Sequence, residues 1–338
     1  MPRIVVAVTL ALMLVACGEP ADKTPAAPVF DPCLAPIDEI QVRLADGSLT
    51  SEELVTRCLA RIEAYEKAGP ALNALITIND RAVEQARFLD EERKAKGARG
   101  PLHGIPVILK DNYDTVDLPT TGGSAILAGS RPPDDAKAVS KLREAGVVIL
   151  GKANMSEFAL SYGWLGYGSA VGQTRNPHNT LRDPSGSSSG SAVAVAAGFA
   201  VLAVGTDTAG SVRGPACVCG VVGIKPTLGL VSRNGIIPAS LTCDVAGPIA
   251  RSVRGAAMML AAMAGPDETD PMTRLSIGRT FDPAAAMKPR SLKGARLGVV
   301  RAWHGANADA DEVFEAALAA LKKRGAVLVE VKLPESLS

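Results

Sequence analysis

Two loops rich in serine and glycine, separated by a run of small apolar residues, constrain the fold of this chain more than any other feature. Residues 183–192 read DPSGSSSGSA and residues 205–213 read GTDTAGSVR. Serine competes for backbone hydrogen bonds and glycine loses conformational entropy inside regular elements, so both stretches predict loops. The run 192–197 (AVAVAA) predicts a buried helix, and 200–204 predicts a short buried strand. Because α/β folds collect their chemistry at one edge of the sheet, the two loops predict a site there.

The first loop also contains a short pattern with a different meaning. GSSSG at 186–190 has the form of the nucleophile elbow of α/β-hydrolases, with Ser188 at its centre. That interpretation requires a histidine base, and the chain has only His103, His178 and His304. Only His304 lies well downstream of the serine, as that chain order requires, and its surroundings are typical of a loop. An esterase that uses Ser188 is therefore the weaker alternative.

Five motifs, in this order, resemble the amidase signature family. They are PLHGIPVILKDN at 101–112, GKANMSEF at 151–158, the serine loop at 183–192, GTDTAGS at 205–211 and CGVVGIKPT at 219–227. The resemblance implies an α/β fold in which a central mixed, largely parallel sheet is covered by helices on both faces. It also implies a catalytic triad in which Ser211 is the nucleophile, Ser187 bridges from a cis peptide bond and Lys110 is the base. No cofactor and no metal is implied.

These three residue types suit the cleavage of an amide. Ser211 must lose its proton as it attacks the carbonyl carbon, and a nearby base must take it. Lysine ordinarily has a pKa of about 10.4, but burial away from carboxylates lowers the pKa by several units. Lys110 follows the apolar run 105–109, which predicts a buried strand. Ser187 can relay the proton because a hydroxyl group both donates and accepts.

The turn around the nucleophile is expected to stabilise the oxyanion. The resemblance places the backbone donors at Thr208, Ala209, Gly210 and Ser211. Ala209 stands where the family usually has glycine, so it would be strained if the turn required a positive φ there. Three residues are expected to support the site, namely Asp207, Ser188 and Arg213. Asn154 and Ser156 are candidates for substrate contact, and the sequence is equally consistent with a role in stabilising a turn.

The rest of the chain predicts alternating elements. Helices are expected at 136–144, 253–263 and 311–323, and strands at 147–150, 221–224, 297–300 and 327–331, which favours a largely parallel sheet. Thr50 is expected to cap one helix, and Asn79 or Asp80 to begin another that ends at Leu89. The charged run 90–94 is interpreted as a solvated face.

The N-terminus predicts export. Residues 1–16 contain one basic residue, Arg3, followed by an apolar run, which is typical of a signal peptide and shorter than the roughly 20 residues of a permanent span. LVAC at 14–17 resembles a bacterial lipobox, so we expect Cys17 to carry a lipid anchor and the protein to lie in the periplasm. Simple cleavage, with Cys17 incidental, stays open. Residues 17–36 predict a Pro- and Ala-rich tether, and 37–338 an amidase domain truncated at its C-terminus relative to the family.

Composition narrows the possible partners. The chain has 36 Lys and Arg against 35 Asp and Glu, and 4% aromatic residues, so neither a basic surface nor stacking platforms for nucleic acid are expected. Among six cysteines, Cys33 and Cys58 are a possible disulfide pair in an oxidising compartment.

The sequence therefore predicts a serine hydrolase that cleaves a peptide C-terminal amide or a related small amide through an acyl-enzyme. Segments 186–196 and 229–238 look most like bacterial peptide amidases. The alternative within the family is the glutamine-hydrolysing component of a tRNA-dependent amidotransferase, against which the expected export argues. A lipoprotein that only binds peptides or envelope components, with a decayed catalytic site, is disfavoured because Lys110, Ser187 and Ser211 are intact. The oligomeric state stays open.

Overall fold

The structure, a computed structural model, describes residues 30–160, 165–279, 281–301 and 307–334. The predicted signal peptide, Cys17 and His304 therefore lie outside the described residues. None of the helices within these ranges is long and apolar enough to cross a membrane.

Helices and strands alternate through most of the chain. The helices are α1 (Ile37–Asp46), α2 (Ser51–Tyr65), α3 (Ala82–Lys96), α4 (Lys137–Glu144), α5 (Ser189–Ala196), α6 (Arg213–Val218), α7 (Val253–Met263), α8 (Pro283–Ala286) and α9 (Ala308–Lys323). The strands are β1 (Leu75–Ile78), β2 (Pro106–Lys110), β3 (Val148–Ala153), β4 (Tyr167–Gly168), β5 (Gly172–Gln173), β6 (Leu202–Asp207), β7 (Val222–Gly223), β8 (Val245–Ala250), β9 (Arg296–Val299) and β10 (Val327–Glu330).

Within the described ranges, the main sheet has six strands in the order β1-β3-β2-β6-β8-β7. Strand β2 pairs in parallel with both β3 and β6, whereas β1 and β8 run against their neighbours. Because β7 pairs antiparallel with β8, four of the six strands point in the same direction. This confirms the predicted mixed, largely parallel sheet. Strands β9 and β10 form a separate parallel pair, with α9 between them in the chain.

Both faces of the main sheet are covered. Every residue of β2, β3, β6 and β8 is buried, and successive side chains of a strand point to opposite faces, so each face must be packed. Helix α5 lies against these central strands, and its small side chains permit a close approach. At Gly190 an added Cβ atom would lie 2.2 Å from the carbonyl oxygen of Ala74.

The structure corrects the predicted start of α3. Neither Asn79 nor Asp80 is the residue that precedes the helix, because the position is taken by Arg81. Asn79 instead accepts a hydrogen bond at Oδ1 from the backbone N–H of Arg81, 3.0 Å away, and so forms a turn ahead of the helix. The helix also continues past Leu89 to Lys96, since nothing in the charged run breaks it.

One residue of that charged run has a structural role rather than a solvated one. Asp90 is 8% exposed, and its carboxylate accepts hydrogen bonds from the backbone N–H groups of Ser51 (2.8 Å) and Glu52 (2.9 Å). Donors in the first turn of a helix have no acceptor within the helix itself, and Asp90 supplies one for these two in α2. Thr50 supplies the predicted cap by accepting a hydrogen bond from the N–H of Glu53. The interpretation of the run as wholly solvated is therefore wrong at Asp90.

Candidate active site

Strand β2 places Lys110 inside the protein, next to two hydroxyl groups. Lys110 is the last residue of the strand and is completely buried. Its Nζ atom lies 2.7 Å from Oγ of Ser187 and 2.7 Å from Oγ1 of Thr206. Burial lowers the pKa of Lys110 to about 7, although the more distant carboxylates of Asp244 and Asp207 act to raise it. The amine can therefore lose and regain a proton near neutral pH.

The first serine loop brings Ser187 to this amine. The peptide bond between Gly186 and Ser187 is cis, in agreement with the resemblance. Ser187 is 2% exposed, and its carbonyl oxygen accepts a hydrogen bond from the N–H of Ser156 at 3.1 Å. The next residue, Ser188, donates its N–H to the carbonyl oxygen of Ser211 at 3.1 Å. The backbone thus ties the two serine loops to each other.

Ser211 stands where β6 leads into α6. It is partly exposed, unlike Lys110 and Ser187, which are buried. The structure therefore brings the three predicted residues into one region, with the amine and the bridging serine inside and Ser211 at the surface. Of these three residues, Ser211 is the one that solvent reaches.

Asp207 fixes the turn that carries Ser211. Its carboxylate accepts hydrogen bonds from the backbone N–H groups of Gly210 (2.8 Å) and Val212 (3.1 Å) and forms an ion pair with Nε of Arg213 (3.1 Å). Burial raises the pKa of Asp207, but Arg213 and these N–H groups outweigh it and hold the pKa well below its usual range. Asp207 thus stays ionised, and both it and Arg213 have the bracing contacts that the sequence predicts.

The turn leaves backbone donors available for an oxyanion. The N–H of Gly210 is engaged by Asp207, whereas no acceptor among the described residues takes the N–H groups of Thr208, Ala209 or Ser211. Ala209 is not one of the described non-glycine residues with a positive φ, and it is Gly210 that adopts φ +132°. Alanine at 209 is therefore not strained. Of the four predicted donors, the geometry favours these three.

Thr206 and Asn112 complete the surroundings of the lysine, and neither was predicted from the sequence. Thr206 Oγ1 accepts hydrogen bonds from Lys110 and from Nδ2 of Asn112 at 3.2 Å. Thr206 is a polar residue in a buried strand that runs beside the one carrying Lys110. A polar residue in a largely apolar buried strand is a signal that could have identified it.

Asp244 connects the site to a neighbouring cavity and was also missed. Its carboxylate accepts hydrogen bonds from Oγ1 of Thr208 at 2.5 Å and from the backbone N–H of Ser240 at 2.8 Å. The cavity beside it has a volume of about 340 Å³. The residues that line it include Thr206, Asp244, Ile236, Leu241 and the ion pair Arg233–Asp270.

The two candidates for substrate contact are buried and engaged within the protein. Asn154 Nδ2 donates to the carbonyl oxygens of Asn73 (3.1 Å) and Gly172 (3.0 Å). Its Oδ1 accepts a hydrogen bond from the backbone N–H of Met155 at 2.9 Å. Ser156 Oγ accepts from the N–H of Gly166 at 2.8 Å. Because these polar atoms already have partners, the geometry supports the bracing role for both and not contact with a substrate.

The surroundings of Ser188 argue against it as a nucleophile. Its buried Oγ donates to the carbonyl oxygen of Thr206 and accepts from the N–H of the same residue, both at 3.2 Å. His103 and His178, the histidines within the described ranges, lie against backbone carbonyl oxygens of other segments. Ser188 therefore has the contacts of a supporting residue that joins the first serine loop to β6.

A comparison with known families agrees with this site. The model of the amidase family, described as Amidase, matches residues 53–338. This chain belongs to the amidase family. The match includes Lys110, Ser187 and Ser211 and most of the elements of the main sheet.

Individual amidase-family relatives differ in what they are named for. A glutamyl-tRNA(Gln) amidotransferase subunit from Halorhodospira halophila is 43% identical over 300 residues, which are 88% of this chain and 60% of that protein. Native peptide amidase from Stenotrophomonas maltophilia is 45% identical with a TM-score of 0.83, over 88% of this chain and 62% of that one. Peptide amidase PAM in complex with the competitive inhibitor chymostatin is 45% identical with a TM-score of 0.85, over 89% and 62%. The chain thus spans about 60% of the length of such relatives.

Proposed function

We propose that this amidase-family chain hydrolyses carboxamides through an acyl-enzyme on Ser211, with Ser187 and Lys110 moving the proton. The observation that carries the proposal is the completely buried Lys110, whose Nζ lies 2.7 Å from Oγ of Ser187. Burial holds its pKa at about 7, so that a large neutral fraction is available as a base.

The contact between Lys110 and Ser187 supports the first link of a relay of proton transfers, to which we add Ser211. Neutral Lys110 accepts the proton of Ser187 as Ser187 accepts that of Ser211, whose oxygen attacks the carbonyl carbon. The N–H groups of Thr208, Ala209 and Ser211 stabilise the oxyanion, and one such donor typically contributes about 3 kcal/mol. The proton returns through Ser187 to the leaving nitrogen, and water then hydrolyses the ester on Ser211 by the same route.

We infer that the substrate is a peptide C-terminal amide or a related small amide. Two solved structures of peptide amidase at 45% identity support this choice. The 43% identity to the glutamyl-tRNA(Gln) amidotransferase relative supports glutamine as a second candidate. The difference in identity is small, so the choice between the two depends on activity.

The test is ammonia release from peptide amides, aryl amides and glutamine, measured with and without chymostatin. We expect turnover of peptide amides that chymostatin inhibits competitively, and turnover of glutamine alone would overturn the substrate proposal. The Ser211→Ala variant should lose turnover and labelling by a fluorophosphonate. Ser188→Ala is the matched control, because it should keep labelling on Ser211. Labelling of Ser188 in place of Ser211 would establish the esterase alternative.

We also propose that the protein is exported and anchored through Cys17. The support is the basic residue, apolar run and lipobox-like LVAC of the first 17 residues. A reporter fused to residues 1–36 should reach the periplasm and incorporate labelled fatty acid, and Cys17→Ser should lose the lipid. A reporter that stays in the cytoplasm would contradict export and favour the amidotransferase alternative.

A further inference from the structure

Two cysteines outside the site join the first described segment to helix α2. Cys33 lies in the turn that precedes α1, and Cys58 lies in the middle of α2. Their Sγ atoms are 3.7 Å apart, and the residues are 2% and 0% exposed. Both are free thiols in this structure. A disulfide bond is about 2.05 Å long, so the sulfur atoms need to approach by less than 2 Å. Cys33 can make this movement because it lies in a turn and not in a helix.

Within the pair, Cys33 is the thiol that ionises more readily. Arg61 is one helical turn from Cys58 and forms an ion pair with Asp31 at 3.4 Å. Arg251 donates to the carbonyl oxygen of Ala35 at 3.2 Å, close to Cys33 in the chain. The hydrogen bond with Cys58 lowers the pKa of Cys33 most. Burial and the carboxylate of Asp31 act to raise it, the guanidinium groups of Arg61 and Arg251 lower it by less, and the net effect is a lowered pKa. The pair therefore ionises at Cys33, which is the nucleophile that disulfide exchange requires.

We propose that Cys33 and Cys58 form a redox-active pair whose disulfide cross-links the N-terminal segment to α2. The oxidant is a disulfide compound, such as an oxidised protein dithiol or glutathione disulfide. Because Cys33 is 2% exposed, the turn that holds it must open before the oxidant reaches it. The thiolate of Cys33 then attacks one sulfur atom of the oxidant and expels a thiolate. Cys58 gives up its proton and attacks Sγ of Cys33, which expels the second thiolate. The two cysteines lose two electrons, and the oxidant becomes two thiols that carry the two protons.

The cross-link would stabilise the region behind the first serine loop. Arg251 donates to the carbonyl oxygens of Val195 and Ala200, at the end of α5, as well as to Ala35. The segment that contains Cys33 is thus attached to the helix that begins in the first serine loop. A disulfide between residues 25 positions apart lowers the conformational entropy of the unfolded chain, and it also holds this segment against α2 in the folded state.

Peptide mapping of the full chain tests the proposal. Trypsin separates the cysteines concerned, because Cys17 falls in 4–23, Cys33 in 24–43 and Cys58 in 58–61. After equilibration with glutathione disulfide and alkylation of the remaining thiols, we expect 24–43 joined to 58–61. Reductant should release the pair. Cys33→Ala and Cys58→Ala should each abolish the cross-link, whereas Cys243→Ala, at an exposed cysteine, should retain it.

Thermal unfolding supplies a second measurement. Reductant should lower the Tm of the oxidised wild type and leave the Tm of Cys33→Ala unchanged. Two results would overturn the proposal. In the first, Cys33 and Cys58 are recovered alkylated, as free thiols, while the exposed Cys217 and Cys243 are glutathionylated. In the second, Cys33 is found joined to Cys17. If the alanine variants do not fold, the mapping of the wild type decides alone.

Discussion

Lys110 combines a buried position with hydroxyl partners, and this combination sets the pH at which the site can work. A protonated Lys110 cannot accept the proton of Ser187, and burial holds its pKa at about 7. We therefore expect kcat/KM to fall tenfold for each pH unit below about 7. The measurement is a pH–rate profile on a peptide amide, with folding checked by circular dichroism at each pH. An acidic limb near pH 4 would identify a carboxylate as the base instead.

A single substitution at Asp244 should shift the acidic limb of the pH–rate profile. Its carboxylate raises the pKa of Lys110, so Asp244→Asn should lower that pKa and shift the acidic limb of kcat/KM to lower pH. Asp270→Asn is the matched control, because Asp270 lines the same cavity but is not a cause of the Lys110 shift. Equal shifts in both variants would show that the limb reports on the cavity as a whole and not on Lys110.

At the scale of residues, the sequence predicted those groups whose roles belong to a motif. Lys110, Ser187 and Ser211 follow from the resemblance, and the structure places them in one region. Thr206 and Asp244 could not be predicted in this way, because their contacts with Lys110 and Thr208 depend on the pairing of separate elements. Asn154 and Ser156 left two interpretations open, which only their hydrogen-bond partners could separate.

At the scale of elements, Asp90 stabilises a helix to which it does not belong. Asp90→Ala removes an anion and two acceptors from the N-terminus of α2, so we expect the free energy of unfolding to fall by about 1–2 kcal/mol with kcat unchanged. Glu91→Ala, at an exposed neighbour in the same helix, should change it by less than about 0.5 kcal/mol. Chemical denaturation measures both, and equal effects would contradict the capping role.

Gly190 marks the closest approach between α5 and its neighbours. In Gly190→Ala the new Cβ would lie 2.2 Å from the carbonyl oxygen of Ala74 and 2.5 Å from that of Asn154. Backbone atoms cannot yield easily, so we expect a loss of about 3 kcal/mol or more, which exceeds the gain in helix propensity. In Gly100→Ala no described atom beyond the two neighbouring residues lies within 4 Å of the added carbon, so the urea midpoint should be nearly unchanged. A stable Gly190→Ala variant would show that α5 can move away from the sheet.

Local patterns predicted some elements well and missed others for a physical reason. The cap at Thr50 and the strand that ends at Lys110 follow from hydrogen-bonding groups and apolar runs close in sequence. Strand β8 was missed because Gly247 and Pro248 are typical of turns. It is nevertheless a strand, since β6 and β7 pair with it on both sides, and the carbonyl oxygen of Pro248 accepts from the N–H of Ile224 at 3.1 Å.

At the scale of the whole molecule, the buried amine makes stability depend on pH. The unfolded chain keeps the proton of Lys110 up to a pKa of about 10.4. The folded protein releases it above about 7, so the unfolded state binds one proton more between these values. The free energy of unfolding should therefore rise with pH by about 1.4 kcal/mol per unit in this window. Urea titrations at several pH values measure this slope in the wild type and in Lys110→Met, which should lack it. The two proteins should show the same slope if Lys110 stays charged in the folded state.

The class of the whole fold could be predicted, but the arrangement of its strands could not. Alternating helices and strands, together with the ordered motifs, gave the mixed and largely parallel sheet. The order β1-β3-β2-β6-β8-β7 depends on pairings between distant segments, such as β1 with β3, for which no local pattern exists. The predictions for the first 29 residues remain predictions.

The hydrogen bond from the backbone N–H of Ser188 to the carbonyl oxygen of Ser211 matters for protein engineering. Alignment of the reacting groups depends on peptide atoms, which no exchange of side chains in the cavity wall removes. Libraries that vary Ile236 and Leu241 can therefore explore new amide preferences, while the two serine loops are left as they are.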